Sequence, residues 1–455
     1  MSLYRVFVIF VVALTTAVPQ YARSGPDLGP NDVSVLMPPP TTRADLGITL
    51  SVDELRFNGA PVWPDIAFSS LQTIANGSHG EVHADGQVFR IDIAPFDDIR
   101  LWHVASFRIV PSFPGSGPAF EAAFGRTTQM QMVVQPVTLA GGQPQVQDVA
   151  VHLIYKFLSG TEPLAGCPGP KAIPDVAAFE HIAEDIARLK QDFIAGRYGP
   201  PVDPGAAPLG VHPGLNPATR SSSDRARAIA AFRAFLERHL DPTRLAAMAL
   251  AGVGPDAEPW IFMPLGHGPN GVWKPVPMPA LIQPPVVAAT NYAEMLNFQV
   301  AGVVAPTPDT RNLDPISCQH NTAKEAPPDP NGLGGTSTSV LYAAGPNTDV
   351  AAVVDVIADP ARSHLFNTDC VSCHTETRIQ IDFAADGEAE LQRIAREENI
   401  DPDMLPRVNE NVRNFGWFAF PPGSGRAGAP FPTVTRRAAR ETAASVAYLR
   451  AHFPD

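Results

Sequence analysis

Two short stretches carry the alternation on which the fold reading rests: Gln129-Met-Gln-Met-Val-Val134 and Val149-Ala-Val-His-Leu-Ile-Tyr155. In the first, Met130, Met132 and Val134 alternate with Gln129, Gln131 and Val133. In the second, Val149, Val151, Leu153 and Tyr155 repeat every two residues. Period 2 is the signature of a strand with one buried face. Further period-2 sets surround them. Leu46, Ile48, Leu50 and Val52 form one, and Phe89, Ile91 and Ile93 form another. Turn clusters such as Asn76-Gly77-Ser78 and Ala84-Asp85-Gly86 separate these runs, so residues 44–158 predict a β-sandwich-like domain or small barrel.

Outward from that block the period changes. Phe179, Ile182, Ile186, Leu189 and Phe193 are spaced 3, 4, 3, 4 after a capping Asp175, and Gly196 ends the run. Ile229, Phe232, Leu236 and Leu240 mark a second helix starting near Ser222 or Ser223. The rest of 159–345 is rich in Pro and Gly, so this region reads as helical and loop-rich. Residues 346–455 read as a helical domain. It has a short helix over Val350–Ile357, a segment from Asp386 carrying Leu391 and Ile394, a loop over Pro421–Pro432, and a last helix bearing Ala439, Val446, Leu449 and Phe453. The expected fold class is α+β and multidomain.

At the N-terminus, Arg5 precedes an apolar run, Val6–Val18, with Ala17 or Ala22 at a cleavage point. The run is short for a membrane span and suits a signal peptide over 1–22, which implies a periplasmic or secreted protein without a stable transmembrane segment. Residues 23–43 then form a Pro-rich linker. The net charge of −13 and the lack of a basic stripe argue against nucleic-acid binding. Of the four cysteines, Cys167 and Cys318 are either a disulfide pair or two buried thiols.

The other two cysteines stand in Asn367-Thr-Asp-Cys370-Val-Ser-Cys373-His374. C-x-x-C-H is the attachment motif of c-type haem. Two thiols at this spacing reach the two vinyl groups on one porphyrin edge, and the following histidine offers a ring nitrogen to the iron. A zinc site would want two further ligands at paired spacing, and a redox C-x-x-C would open a helix in a βαβ unit; neither pattern accompanies these residues.

With this motif, the flanking helices and the terminal Ser445-Val-Ala-Tyr-Leu-Arg450, residues 346–455 resemble a class I cytochrome c domain. The N-terminal three quarters resemble uncharacterised secreted bacterial proteins. The first resemblance implies one covalent haem c, His374 as proximal ligand, electron transfer, and a redox partner protein. It also implies a distal methionine, for which Met404 is the sole candidate in the C-terminal region. The chain departs from the family in having no Pro soon after the motif, so the orientation of His374 must come from elsewhere.

Arg378, Arg413 and Trp417 are candidate partners for haem propionates. His364 reads as a second-shell or surface residue, and His452 as exposed. If Met404 does not ligate, the sixth iron position is open, which makes a peroxidase-like enzyme or a haem-containing binding or sensor protein the alternative. In that case a distant residue such as His267 would supply the distal histidine. His79 with His83, and Cys318 with His320, are weak metal-site candidates.

Overall fold

Gln129–Val134 and Val149–Tyr155 are indeed strands, but they do not belong to a sandwich. The computed structural model describes residues 27–77, 79–80, 89–90, 93–112, 121, 125–163, 171–253, 260–267, 271–275, 287–289, 350–361, 363, 370–408, 411–420 and 428–453. Its centre is a single 10-stranded antiparallel sheet. The strands are β1 (Ser34–Leu36), β2 (Trp102–Val110), β3 (Thr128–Ala140), β4 (Gln143–Val146), β5 (Val149–Glu162), β6 (Lys171–Pro174), β7 (Leu245–Val253), β8 (Trp260–His267), β9 (Trp273–Pro275) and β10 (Val287–Ala289). The order is β1-β2-β3-β5-β7-β8-β9, with β4 paired to β3, β6 to β5 and β10 to β8.

The expected sandwich is thereby corrected, and so is the helical reading of the middle region: β7 to β10 come from it. Leu245-Ala-Ala-Met-Ala-Leu-Ala-Gly-Val253 is made of good helix formers. Pairing on both edges, with β5 and with β8, overrides that weak preference. The reading of Leu46–Val52 as a strand fails for a local reason. The Thr42 hydroxyl accepts the Asp45 amide while the Asp45 carboxylate takes the Thr42 amide, and this capping box starts a helical turn over Arg43–Leu46. Within the stretch read as linker, Ser34–Leu36 pairs with β2.

The helices are α1 (Asp65–Gly77), α2 (Val176–Ile194), α3 (Ser222–His239), α4 (Val350–Ala358), α5 (Cys370–Phe383), α6 (Gly387–Glu397) and α7 (Arg436–His452). Asp175, Ser221, Asp386 and Thr435 cap α2, α3, α6 and α7 through their side chains. One face of the sheet carries the apolar alternation and buries it against α2 and α3. Phe107 meets Phe232 at 5.6 Å between ring centroids, Phe157 meets Phe179 at 6.5 Å, and the Tyr155 hydroxyl donates to the Val62 carbonyl.

The C-terminal region is not a free-standing all-α domain. It includes a hairpin of β11 (Phe415–Phe418) and β12 (Phe431–Val434), and it lies on the opposite, polar face of the sheet. Ser106 Oγ donates to the Phe415 carbonyl at 2.8 Å, and the Gln135 amide bonds both the N–H and the carbonyl of Trp417 at 2.7 and 2.8 Å. The polar half of the alternation is therefore an interface within the chain and not a solvated face. Helix α7 crosses to the N-terminal segment, where Thr442 meets Ser34 hydroxyl to hydroxyl and Arg450 donates to the Leu28 carbonyl. Among the described residues no helix is long and apolar enough to cross a membrane.

Candidate functional site

The motif opens α5, and positions 370, 373 and 374 fall on one helical face because residues three and four apart are neighbours there. Cys373 is a free, half-buried thiol. Burial pushes it up to about 11, against the pull of Arg437, and Asn414 Nδ2 lies 3.8 Å from its sulfur.

His374 is held from a distant part of the chain. Its Nδ1 lies 2.7 Å from the Val412 carbonyl. A carbonyl only accepts, so Nδ1 carries the proton and Nε2 carries the lone pair. Burial brings the imidazole down to about 4, outweighing the opposing Val412 bond, so it is neutral at physiological pH. A neutral histidine with its second nitrogen fixed by a carbonyl is the usual form of a metal-bound imidazole. The orientation that no proline supplies after the motif comes here from the strap running from Asn411 to Phe418.

That strap is anchored to the sheet. Arg413 is almost fully buried, donates to the Ala251 carbonyl and pairs with the buried Asp148. Asn411 Nδ2 donates to Thr433 Oγ1, and the Thr435 amide to the Asn414 carbonyl. Below the strap, Ser106, Val133, His152 and Ala249 are register partners on β2, β3, β5 and β7, so their side chains share the polar face. His152 is half-buried, and burial followed by the influence of His374 and Arg413 brings its pKa down to about 3.

Arginines surround the motif on its other side. Arg437 pairs with Glu441 and donates to Ser363 and to the Ile357 carbonyl; Glu441 also takes Arg108 at 2.8 Å. Glu376, fully buried, accepts the Arg437 amide, and Thr377 Oγ1 accepts the Arg436 amide, so α5 caps α7. Burial raises the Glu376 carboxyl despite the pull of Arg436.

The remaining sequence candidates sit elsewhere or are engaged. Met404 packs with Leu209, Ile400 and Leu405, and a Cβ on Gly210 would lie 3.2 Å from its Cγ. Val211, Leu36, Ser106, Val133 and His152 are successive strand neighbours, which puts Gly210 about four strand spacings, roughly 19 Å along the sheet, from His152. Arg378 pairs with Asp382 and donates to the Arg407 carbonyl; Trp417 is fully buried and donates to the Met37 carbonyl; Arg413 is committed to Asp148.

His267 faces two backbone carbonyls at 3.2 Å, from Gly271 and Leu245. His452 is exposed, as expected, and stacks on Tyr448. Cys167, Cys318, His320, His364, His83 and the signal-like segment 1–22 lie outside the described residues, as do the side chains of Cys370 and His79. Among the described residues no group of three His, Cys, Asp or Glu could hold a bare metal ion.

Sequence reasoning missed His152, the Val412 carbonyl and the Arg108–Glu441–Arg437 cluster. The last left one signal: Arg436 and Arg437 open a helix whose N-terminal dipole repels cations. No protein-family model matches the chain, nor does any curated protein or solved structure.

Proposed function

We propose that this chain is an exported mono-haem c-type protein that transfers electrons to or from a redox partner protein in the periplasm or outside the cell. Haem c would be held by thioethers to Cys370 and Cys373, with His374 Nε2 on the iron. One-electron exchange is the chemistry that such a group supplies.

The observation that carries this reading is the 2.7 Å bond from His374 Nδ1 to the Val412 carbonyl. It fixes the tautomer and the ring plane, two properties that a proximal histidine needs and a chance C-x-x-C-H match does not require. The Cys373 thiol adds to it. A disulfide-exchange motif depresses its thiol pKa, whereas burial raises this one to about 11. The chain's own residues bind and orient: the strap positions His374, the sheet anchors the strap, and Arg108, Arg437 and Glu441 balance charge beside the helix of the motif.

The test is to produce the full chain in a host with c-type haem-maturation machinery. Haem that stays with the protein through acid-acetone extraction, and is lost from both Cys370→Ala and Cys373→Ala, is the expected result. Extractable haem, or none, overturns the reading.

A further inference from the structure

We propose that His152 is the second axial ligand, so that the loaded protein carries a bis-histidine centre formed by His374 and His152. This rests on the haem reading above and adds the residue that the sequence resemblance assigned to Met404.

Position is the first argument. His152 lies in the row Ser106–Val133–His152–Ala249 on the polar face of the sheet. The strap that holds His374 is seated on the same patch. Phe415 is bonded to Ser106, and a Cβ on Gly416 would meet Val133 Cγ1 at 3.5 Å. Arg413 reaches the Ala251 carbonyl, and Ala251 is the register partner of Ala150, two residues before His152 on the same face. One short segment therefore holds the His374 ring through the Val412 carbonyl and is itself seated on the patch of sheet that carries His152.

The second argument is the ring's lack of other employment. His103 meets Thr49, His212 accepts from the Gly214 amide, His239 meets Asp185, His267 faces two carbonyls, His452 meets the Tyr448 carbonyl and His181 lies beside Glu184. His152 makes no hydrogen bond to any described residue. A half-buried imidazole on that face, without a described hydrogen-bond partner, keeps a ring nitrogen to offer.

The third argument is distance. Met404 Cγ lies against Gly210, and the next residue, Val211, is four strand spacings, roughly 19 Å along the sheet, from His152.

The full chain, matured with covalent haem, tests this by absorption and electron paramagnetic resonance. Wild type is expected to be low-spin in both oxidation states and to lack the red charge-transfer band of methionine-ligated ferric haem. His152→Ala should turn the ferric form high-spin, bind cyanide and carbon monoxide readily, and return to low-spin on addition of imidazole. His152→Met, should the alanine variant not accumulate, should remain low-spin and gain the methionine band. Met404→Ala should leave the wild-type spectrum unchanged.

A His152 variant with the wild-type spectrum, or a high-spin wild type, overturns the ligand assignment and leaves the haem reading standing. A wild-type chain that emerges without covalent haem overturns both.

Discussion

Arg413 and Asp148, 265 residues apart in sequence, form an ion pair with both side chains almost entirely withdrawn from water. The pair fastens the strap to the sheet one residue beyond the carbonyl that orients His374. The ion pair and the contact that orients His374 thus share the same piece of backbone.

Removing one partner leaves an uncompensated buried charge. Asp148→Ala should therefore cost about 3–5 kcal/mol, read as a lowered urea midpoint. The double replacement Asp148→Leu with Arg413→Met, which removes both charges, should recover most of that loss. In the haem-loaded protein, Asp148→Ala should also perturb the iron spectrum, because a displaced strap moves the Val412 carbonyl.

Gln135 imitates a strand. Its amide bonds the N–H and the carbonyl of Trp417 at 2.7 and 2.8 Å, where no neighbouring backbone is available. Gln135→Leu should leave two buried backbone groups without partners and cost about 2–4 kcal/mol. Faster hydrogen exchange at the Trp417 amide, with the exchange of β5 unchanged, would place the loss at the strap.

His212 is fully buried, packed between a tilted Phe193 and an edge-on Phe232, with Nδ1 accepting the Gly214 amide. Burial, with a smaller contribution from Arg220, takes its pKa from 6.5 to about 3. Below pH 6.5 the unfolded chain binds a proton that the folded chain does not. Its contribution is therefore fully present above pH 6.5 and is lost as the pH falls toward 3, by up to about 5 kcal/mol. His212→Asn keeps an acceptor for Gly214 and should flatten that limb of stability against pH, at some cost in ring packing at pH 8. An unchanged slope between pH 6 and 4 would show that other groups carry the acid limb.

The alternation at Gln129–Val134 and Val149–Tyr155 correctly announced strands, and the cap at Asp175 with the apolar spacing after it correctly announced a helix, because those signals are local. What Gln129, Gln131, Gln135 and His152 face is not local. A polar face opposite a core is indistinguishable in sequence from a solvated one, yet here it receives the strap. Leu245–Val253 misled for the related reason that its two strand neighbours lie far away in the chain. The motif was plain at Cys370, Cys373 and His374. The orienting Val412 carbonyl was not, since any residue at that position presents the same backbone oxygen.

Glu441 stands between Arg108 and Arg437, and all three side chains are largely buried. Burial alone would raise its carboxyl, but the two guanidiniums outweigh this and hold it below the ordinary carboxylate value. Its stabilising contribution is thus present above the unfolded carboxylate pKa and is lost as the pH falls through the lowered folded value. Glu441→Gln preserves shape and removes the charge, leaving two buried arginines without their counter-ion. The expected cost at neutral pH is about 3–5 kcal/mol. Because the mutant has no carboxyl to protonate, the gap between it and wild type should narrow in strongly acidic solution. Matched denaturant titrations at pH 7 and near pH 3 decide the point: a gap that stays constant would mean that Glu441 acts through its shape and not its charge.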